Sequence, residues 1–190
     1  TRTRLHPIVA ALIITLALTA TGCAQDSGAT TEGTPQLKQF QSAGKEASIT
    51  VLPTLLAGKP MKQVGEVVAL LLEKAGMTNL QIASDEFQPP KDADMVTTTD
   101  ALSEFIKTHP PQTGYALFTQ VVASPQRKVL EVRTIVIDKA GAIVWSDRQT
   151  AADADFKRIK PAEPMQCCLL VAERLRPVLQ LDDPSRKNAP

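Results

Sequence analysis

Apolar side chains are laid out in two ways along this chain: one uncharged apolar run near the N-terminus, Ile8 to Leu18, and short periodic groups that begin near residue 48. Between them, Ala24 to Ala47 is rich in Ser, Thr, Gly, Gln and Ala. It buries too little to offset the entropy of ordering and reads as a flexible tether. In the periodic part, Ser48 to Pro53 is an apolar, β-branched run, a buried strand ended by Pro53. Gly58-Lys59-Pro60 then breaks the chain and offers Pro60 as a first helical residue. From Met61 to Ala75, Val64, Val67, Val68, Leu71, Leu72 and Ala75 recur at helical spacing while Lys62, Glu66, Glu73 and Lys74 point elsewhere. This predicts an amphipathic helix that Gly76 closes as a left-handed cap.

Leu80 to Ser84 is a second short strand, and Asp85 to Met95, with Pro89-Pro90, is a loop. Thr97, Thr98 or Thr99 caps a second helix, Asp100 to Thr108, whose inward stripe is Ala101, Leu102, Phe105 and Ile106. His109-Pro110-Pro111 ends it. Gly114 to Ala123 and Lys128 to Asp138 read as strands; in the second, Glu131 and Arg133 share a face with Val129, Ile135 and Ile137, which marks that face as partly open to water. Asp138 to Gly141 is a tight turn, and Ala142 to Asp147 returns as the hairpin partner. Arg148 to Pro164 is polar and reads as a long loop with Phe156 and Ile159 as its only large apolar residues. The last helix spans Met165 to about Arg176, and Pro177 kinks or ends it.

The expected fold is therefore α/β (α+β): one mixed sheet, order β-α-β-α-β-β-β-α, with the helices packed on it. The first strand and its crossover helix predict a right-handed βαβ start, completed by an antiparallel meander. The expected organisation is a signal at 1–22, a modified cysteine and tether at 23–47, one domain at 48–182 and a disordered tail at 183–190.

The N-terminal run decides how the rest is read. Arg2 and Arg4 precede it, and Thr19 to Gly22 follow as small residues, the three-part layout of a secretory signal. Ile8 to Ala20 holds 13 residues, short of the roughly 20 a spanning helix requires. Cys23 comes next, where a bacterial lipoprotein needs the thiol that takes the diacylglycerol, so Ala20-Thr21-Gly22-Cys23 resembles a lipobox with Ala in the place usual for Leu. Ala24 rather than Asp follows, and by the sorting rules of such lipoproteins this sends the protein to the outer membrane. Removing residues 1–22 leaves 168 residues and turns 21 basic and 20 acidic side chains into 19 and 20, a net charge of −1. That balance gives no electrostatic case for nucleic acid and no polybasic hold on a bilayer. Attachment must come from the lipid, and the two or more chains of an acylated cysteine suffice.

Ile49-Thr50-Val51-Leu52-Pro53, the helix Met61 to Ala75 and the strand Leu80 to Ser84 resemble the opening of envelope lipoproteins that share the fold of the N-terminal domain of the Tol-system propeller protein. That group includes the curli-secretion, exopolysaccharide-export and penicillin-binding-protein-activator lipoproteins. The hairpin Ile135 to Trp145, with its Lys139-Ala140-Gly141 turn, resembles the strand, Asp, turn, Gly and Trp-ended strand of the same group. The resemblance runs from about Ile49 to Leu179 and implies a non-enzymatic periplasmic scaffold that engages an envelope protein or peptidoglycan, or assembles into a ring of its own copies. It implies no cofactor and no catalytic residues. The Arg148 to Pro164 segment and the Cys167-Cys168 pair match nothing in it.

Candidate chemistry is thin. For partner binding the sequence points to Glu131, Arg133 and Trp145 on the hairpin, with Arg148 and Phe156 in the polar segment, because they combine mixed charge with aromatic anchors. The alternative is a thiol-dependent redox or soft-metal protein using Cys167 and Cys168; against it, Cys168 reads as a small core residue and Cys167 as partly exposed, with no C-x-x-C spacing. Asp147, Asp153 and Asp155 lack the central Gly and closing Glu of an EF-hand loop, so they read as solvated acids, as do Asp92 and Asp94. His109 is the only histidine after the signal and reads as a surface residue at a helix end. No nucleophile elbow or phosphate-cradling loop is present.

Overall fold

The computed structural model describes residues 33–112 and 114–181. The signal at 1–22, Cys23, the start of the tether and the tail at 183–190 lie outside the described residues. The remainder is a single mixed sheet with helices packed on it, as the pattern predicts. Its axis is β5 (Tyr115–Ala123), which pairs along its whole length with antiparallel β6 (Val129–Asp138). Antiparallel β7 (Ile143–Thr150) follows β6. The other edge of β5 is shared by two short parallel strands, β1 (Ile49–Val51) against Tyr115 to Leu117 and β2 (Thr54–Leu56) against Gln120 and Val121. They are one extended stretch interrupted at Leu52-Pro53, where proline has no N–H to give the ladder.

Two differences from the expected order follow from that interruption. The chain turns at Ala57-Gly58, both at positive φ, into β3 (Lys59–Met61), which pairs antiparallel with β2. Pro60 therefore sits in an edge strand, where proline is tolerated, and not at a helix start. The crossover helix α2 begins two residues later (Lys62–Lys74) and returns to β4 (Leu80–Ile82), parallel to β1. Gly76 caps α2 as expected, at φ 105°: its N–H donates to Glu73 O and that of Met77 to Leu72 O, with Leu72 and Met77 both buried. Gly65 lets α2 approach the sheet, since a Cβ there would lie 2.9 Å from the Leu52 carbonyl oxygen.

Three further stretches of expected irregular chain are ordered. The second half of the tether is ordered: α1 (Pro35–Ala43) starts at Thr34, whose hydroxyl accepts from Leu37 N at 3.2 Å, and it buries Leu37 and Phe40. Phe40 packs edge-on to Tyr115. The second main helix, α3 (Met95–Thr108), is longer than expected because Asp94, not a threonine, caps it by accepting from Thr97 N at 2.8 Å. The polar segment after Arg148 is also structured. β7 runs on to Thr150, the Asp153 carboxylate accepts from Thr150 N and Oγ1 to turn the chain, and α4 (Ala154–Ile159) follows. The last helix α5 (Pro164–Val178) has proline at its first position and ends one residue beyond Pro177.

The sheet separates two cores. On one face α1, α2, α4 and α5 bury Val68, Leu72, Leu170, Val171 and Leu175 against Val132, Val136 and Trp145. On the other, α3 with Phe87 covers Phe118, Ile135 and Ile137. Against that second core the β6–β7 turn approaches α3 closely: the Ser103 hydroxyl donates to Gly141 O at 2.6 Å, and Gly141 is at φ 80°.

Candidate functional site

On the α3 face, β6 changes chemistry along its length. Ile137 and Ile135 lie under α3, and at the next two positions of that face stand Arg133 and Glu131. The helix begins at Met95, so its body no longer covers the strand there. Both charged side chains are nearly buried, at 11% and 9% exposure. They are held by a set of mutual contacts. Arg133 Nε donates to Glu131 Oε1; Arg133 Nη1 donates to Ala93 O at 2.8 Å and to Gln120 Oε1 at 3.2 Å. Arg148, opposite Arg133 in the β6–β7 register, donates from Nη2 to Glu131 Oε2 at 2.9 Å. Burial pushes the Glu131 carboxyl upward, but the hydrogen bonds from Arg148 and Arg133 outweigh it and hold it below the usual range. Arg133 also lines a cleft of about 840 Å³ between the Gln88–Ala93 loop and the ends of β2 and β5.

Three of the five expected partner residues thus come together: Glu131, Arg133 and Arg148. The other two do not join them. Trp145 pairs with Val136 in the same unbroken register that sets Arg148 against Arg133, and three residues from Arg148 it falls on the opposite face, where it is buried with Val132 and Val136. Phe156, on α4, is buried in that same core. Neither aromatic is a free anchor.

No family model and no curated protein matches the chain. In a structural comparison it aligns with the lipoprotein GNA1162 from Neisseria meningitidis at 13% identity and a TM-score of 0.32, covering 70% of this chain and 96% of that one. A likeness of that degree transfers neither activity nor partner.

A second ionic group occupies the other face, and sequence reasoning missed it. Asp147 accepts from Arg174 Nε and Nη2, both at 3.2 Å; Arg174 Nη1 reaches Asp155 at 3.2 Å; and Arg158 bridges Asp155 and Glu173. The acids read as a solvated loop are therefore brackets that fasten α4 and α5 to β7. The signal was the pairing of Asp147 and Asp155 with arginines on following elements, visible only once both faces of β7 are known.

Of the two sulfurs, Cys168 is the core residue the sequence suggests and Cys167 differs. Cys167 and Cys168 are both buried, at 1% and 2% exposure, so Cys167 is not the half-open thiol of the sequence reading. Burial pushes Cys167 up to about 11 and Cys168 up to about 12, and Cys168 Sγ lies 3.6 Å from Val64 O on α2. Among the described residues, no three His, Cys, Asp or Glu side chains gather closely enough to hold a metal ion. At the far end of α3, His109 stacks on Phe105 with ring centroids 4.5 Å apart, beside a pocket of about 380 Å³ whose wall includes Thr50. The Thr50 hydroxyl is buried without a hydrogen-bond partner. Asp94, which the sequence leaves as a solvated acid, is the α3 cap.

Proposed function

We propose that this chain is a lipid-anchored binding or scaffold protein of the bacterial cell envelope, tethered through Cys23 and facing the periplasm at the outer membrane. The observation that carries the reading is the order of basic residues, a 13-residue apolar run and Ala20-Thr21-Gly22-Cys23. That run is too short to span a bilayer and is followed, after Thr21 and Gly22, by the one side chain that lipid transfer requires. Among the described residues, no helix is long and apolar enough to cross a membrane. The compact domain fits a role in holding a partner: its nearly buried ionised groups, Glu131 and Arg133, are engaged with each other. The resemblance to the Tol-propeller N-terminal-domain group belongs to the same proposal, as do an envelope protein or peptidoglycan partner and assembly with further copies of the chain. The thiol-based alternative loses support from the burial of both sulfurs, since a reactive cysteine needs access and a lowered pKa.

Mass spectrometry of the N-terminal peptide tests the anchor. Two or more acyl chains on Cys23, and release of Cys23→Ala from the membrane fraction, are expected. An unmodified thiol in the membrane-bound protein sinks the proposal.

A further inference from the structure

Where the β5–β6 turn meets α4, the surface opens into a groove of about 520 Å³. Its floor is apolar, with Phe156 and Val129, and its rim carries Arg127, Lys128, Lys157 and Lys160 with no acidic residue among the lining. Lys157 donates to Ala152 O at 2.8 Å; Arg127, Lys128 and Lys160 form no ion pair among the described residues. This contrasts with Arg133, Arg158 and Arg174, each held by a carboxylate of its own.

Two of the rim cations stand where the backbone favours glycine. Arg127 in the turn is at φ 63° and Lys160, the residue after α4, at φ 50°. A side chain in the left-handed region is strained relative to glycine, and such strain gathers at functional sites. The chain thus carries a long cation at both positions.

We propose that this groove docks an acidic segment of a protein partner, with one large apolar side chain on the Phe156 floor and flanking carboxylates on the four cations. A bilayer fits less well. Membrane docking uses apolar residues that protrude, whereas the apolar atoms here lie in a hollow, and none of the exposed large apolar residues Leu70, Val96, Leu130, Met165 and Leu169 lines it. The proposal deepens the reading of the chain as a protein that holds a partner. It does not depend on the anchor, so an unacylated Cys23 would leave it standing.

The test uses the full chain carrying Cys23→Ala, in mild detergent, as bait for a displayed library of short random peptides. Enriched peptides are expected to place Asp or Glu beside a Leu, Ile, Met, Phe or Trp, and their affinity to fall as salt shortens the range of the charges. Arg127→Gly and Lys160→Gly should each weaken binding about threefold, and together about tenfold, with a Tm no lower than that of the parent because glycine relieves the backbone. Lys107→Ala, on α3, should change nothing. If either glycine variant melts earlier, Lys128→Gln carries the same comparison from an exposed position. Enrichment of peptides without acids, or equal affinity in the parent and the double variant, overturns the proposal. So do phosphatidylglycerol vesicles that bind the parent but not the double variant while the selected peptides bind both alike.

Discussion

The two faces of the sheet solve the same problem differently. One face is covered by α1, α2, α4 and α5, and β6 meets them with Val132, Thr134 and Val136. The other is covered by α3 alone, and β6 meets it with Ile137 and Ile135 until the helix stops and Arg133 and Glu131 take over. The ionic groups follow the same boundary. On the crowded face the Asp147–Arg174–Asp155 chain lies at the edge and binds helices to the strand. On the open face the Glu131–Arg133–Arg148 group fills the place a helix would occupy. Helix coverage, and not strand identity, decides whether a position on this sheet can be apolar.

If that is right, the largest loss of stability comes from the crowded face. Leu170 is fully buried between α5 and the sheet. Leu170→Ala should destabilise the fold by about 4 kcal/mol, the transfer term plus the cavity left in a core too crowded to collapse. The shift in urea midpoint at unchanged m-value measures it. A loss below about 1 kcal/mol would mean the crowded face is loosely packed, and the contrast between the faces would fail.

Much of this was legible beforehand. The periodicity of Val64 to Ala75 and the alternation of β5 and β6 yield α2 and the central meander with small boundary errors, because each buries one face continuously. What escaped has local causes. α1 offers only Leu37 and Phe40 as apolar contacts, one helical turn apart in a polar stretch, although Thr34 followed by Pro35 is a helix-start signal that was present. β2 and β3 are three residues each, the first starting just after Pro53 and the second holding Pro60 at its centre. The end of β7 reads as loop because Arg148, Gln149 and Thr150 are polar on both faces, and only their partners Arg133, Val132 and Glu131 make them a strand. Of the site, the charges in β6 were visible as anomalies in an apolar strand. The side taken by Trp145 was legible too, since three residues from Arg148 strict alternation sets it on the opposite face, and the irregularity falls beyond it, between Trp145 and Ile143.

The next largest effect separates the charged part of the open face from its apolar part. Glu131→Ala leaves Arg133 nearly buried without its carboxylate and should cost about 3 kcal/mol. Glu131→Gln keeps the shape and isolates the charge. The folded carboxyl is held below the glutamate reference of 4.5, so the unfolded chain binds the proton first as pH falls. The stability it contributes is present above that value and is lost as pH drops through the lower folded one. Denaturant titrations at successive pH values below 4.5 should therefore show a shallower decline for Glu131→Gln than for the parent. Identical slopes would show that the arginines do not hold this carboxylate.

The smallest effect belongs to the sulfurs and runs in the opposite pH direction. Burial raises Cys167 to about 11 and Cys168 to about 12, above the ordinary thiol value of 9.0. Their neutral forms are thus favoured in the folded state. That contribution is complete below pH 9.0 and disappears as pH rises through the folded values, because the unfolded chain loses its protons first. With Cys23→Ala in place, thiol titration at pH 8 should find both sulfurs unreactive in the native protein and both accessible in denaturant. Replacing both with Ala should flatten the alkaline end of the stability profile while leaving the acid end, where Glu131 acts, unchanged. A thiol that reacts in the native state at pH 8 would place a mobile seam between α2 and α5, on the face that is otherwise the tightly packed one.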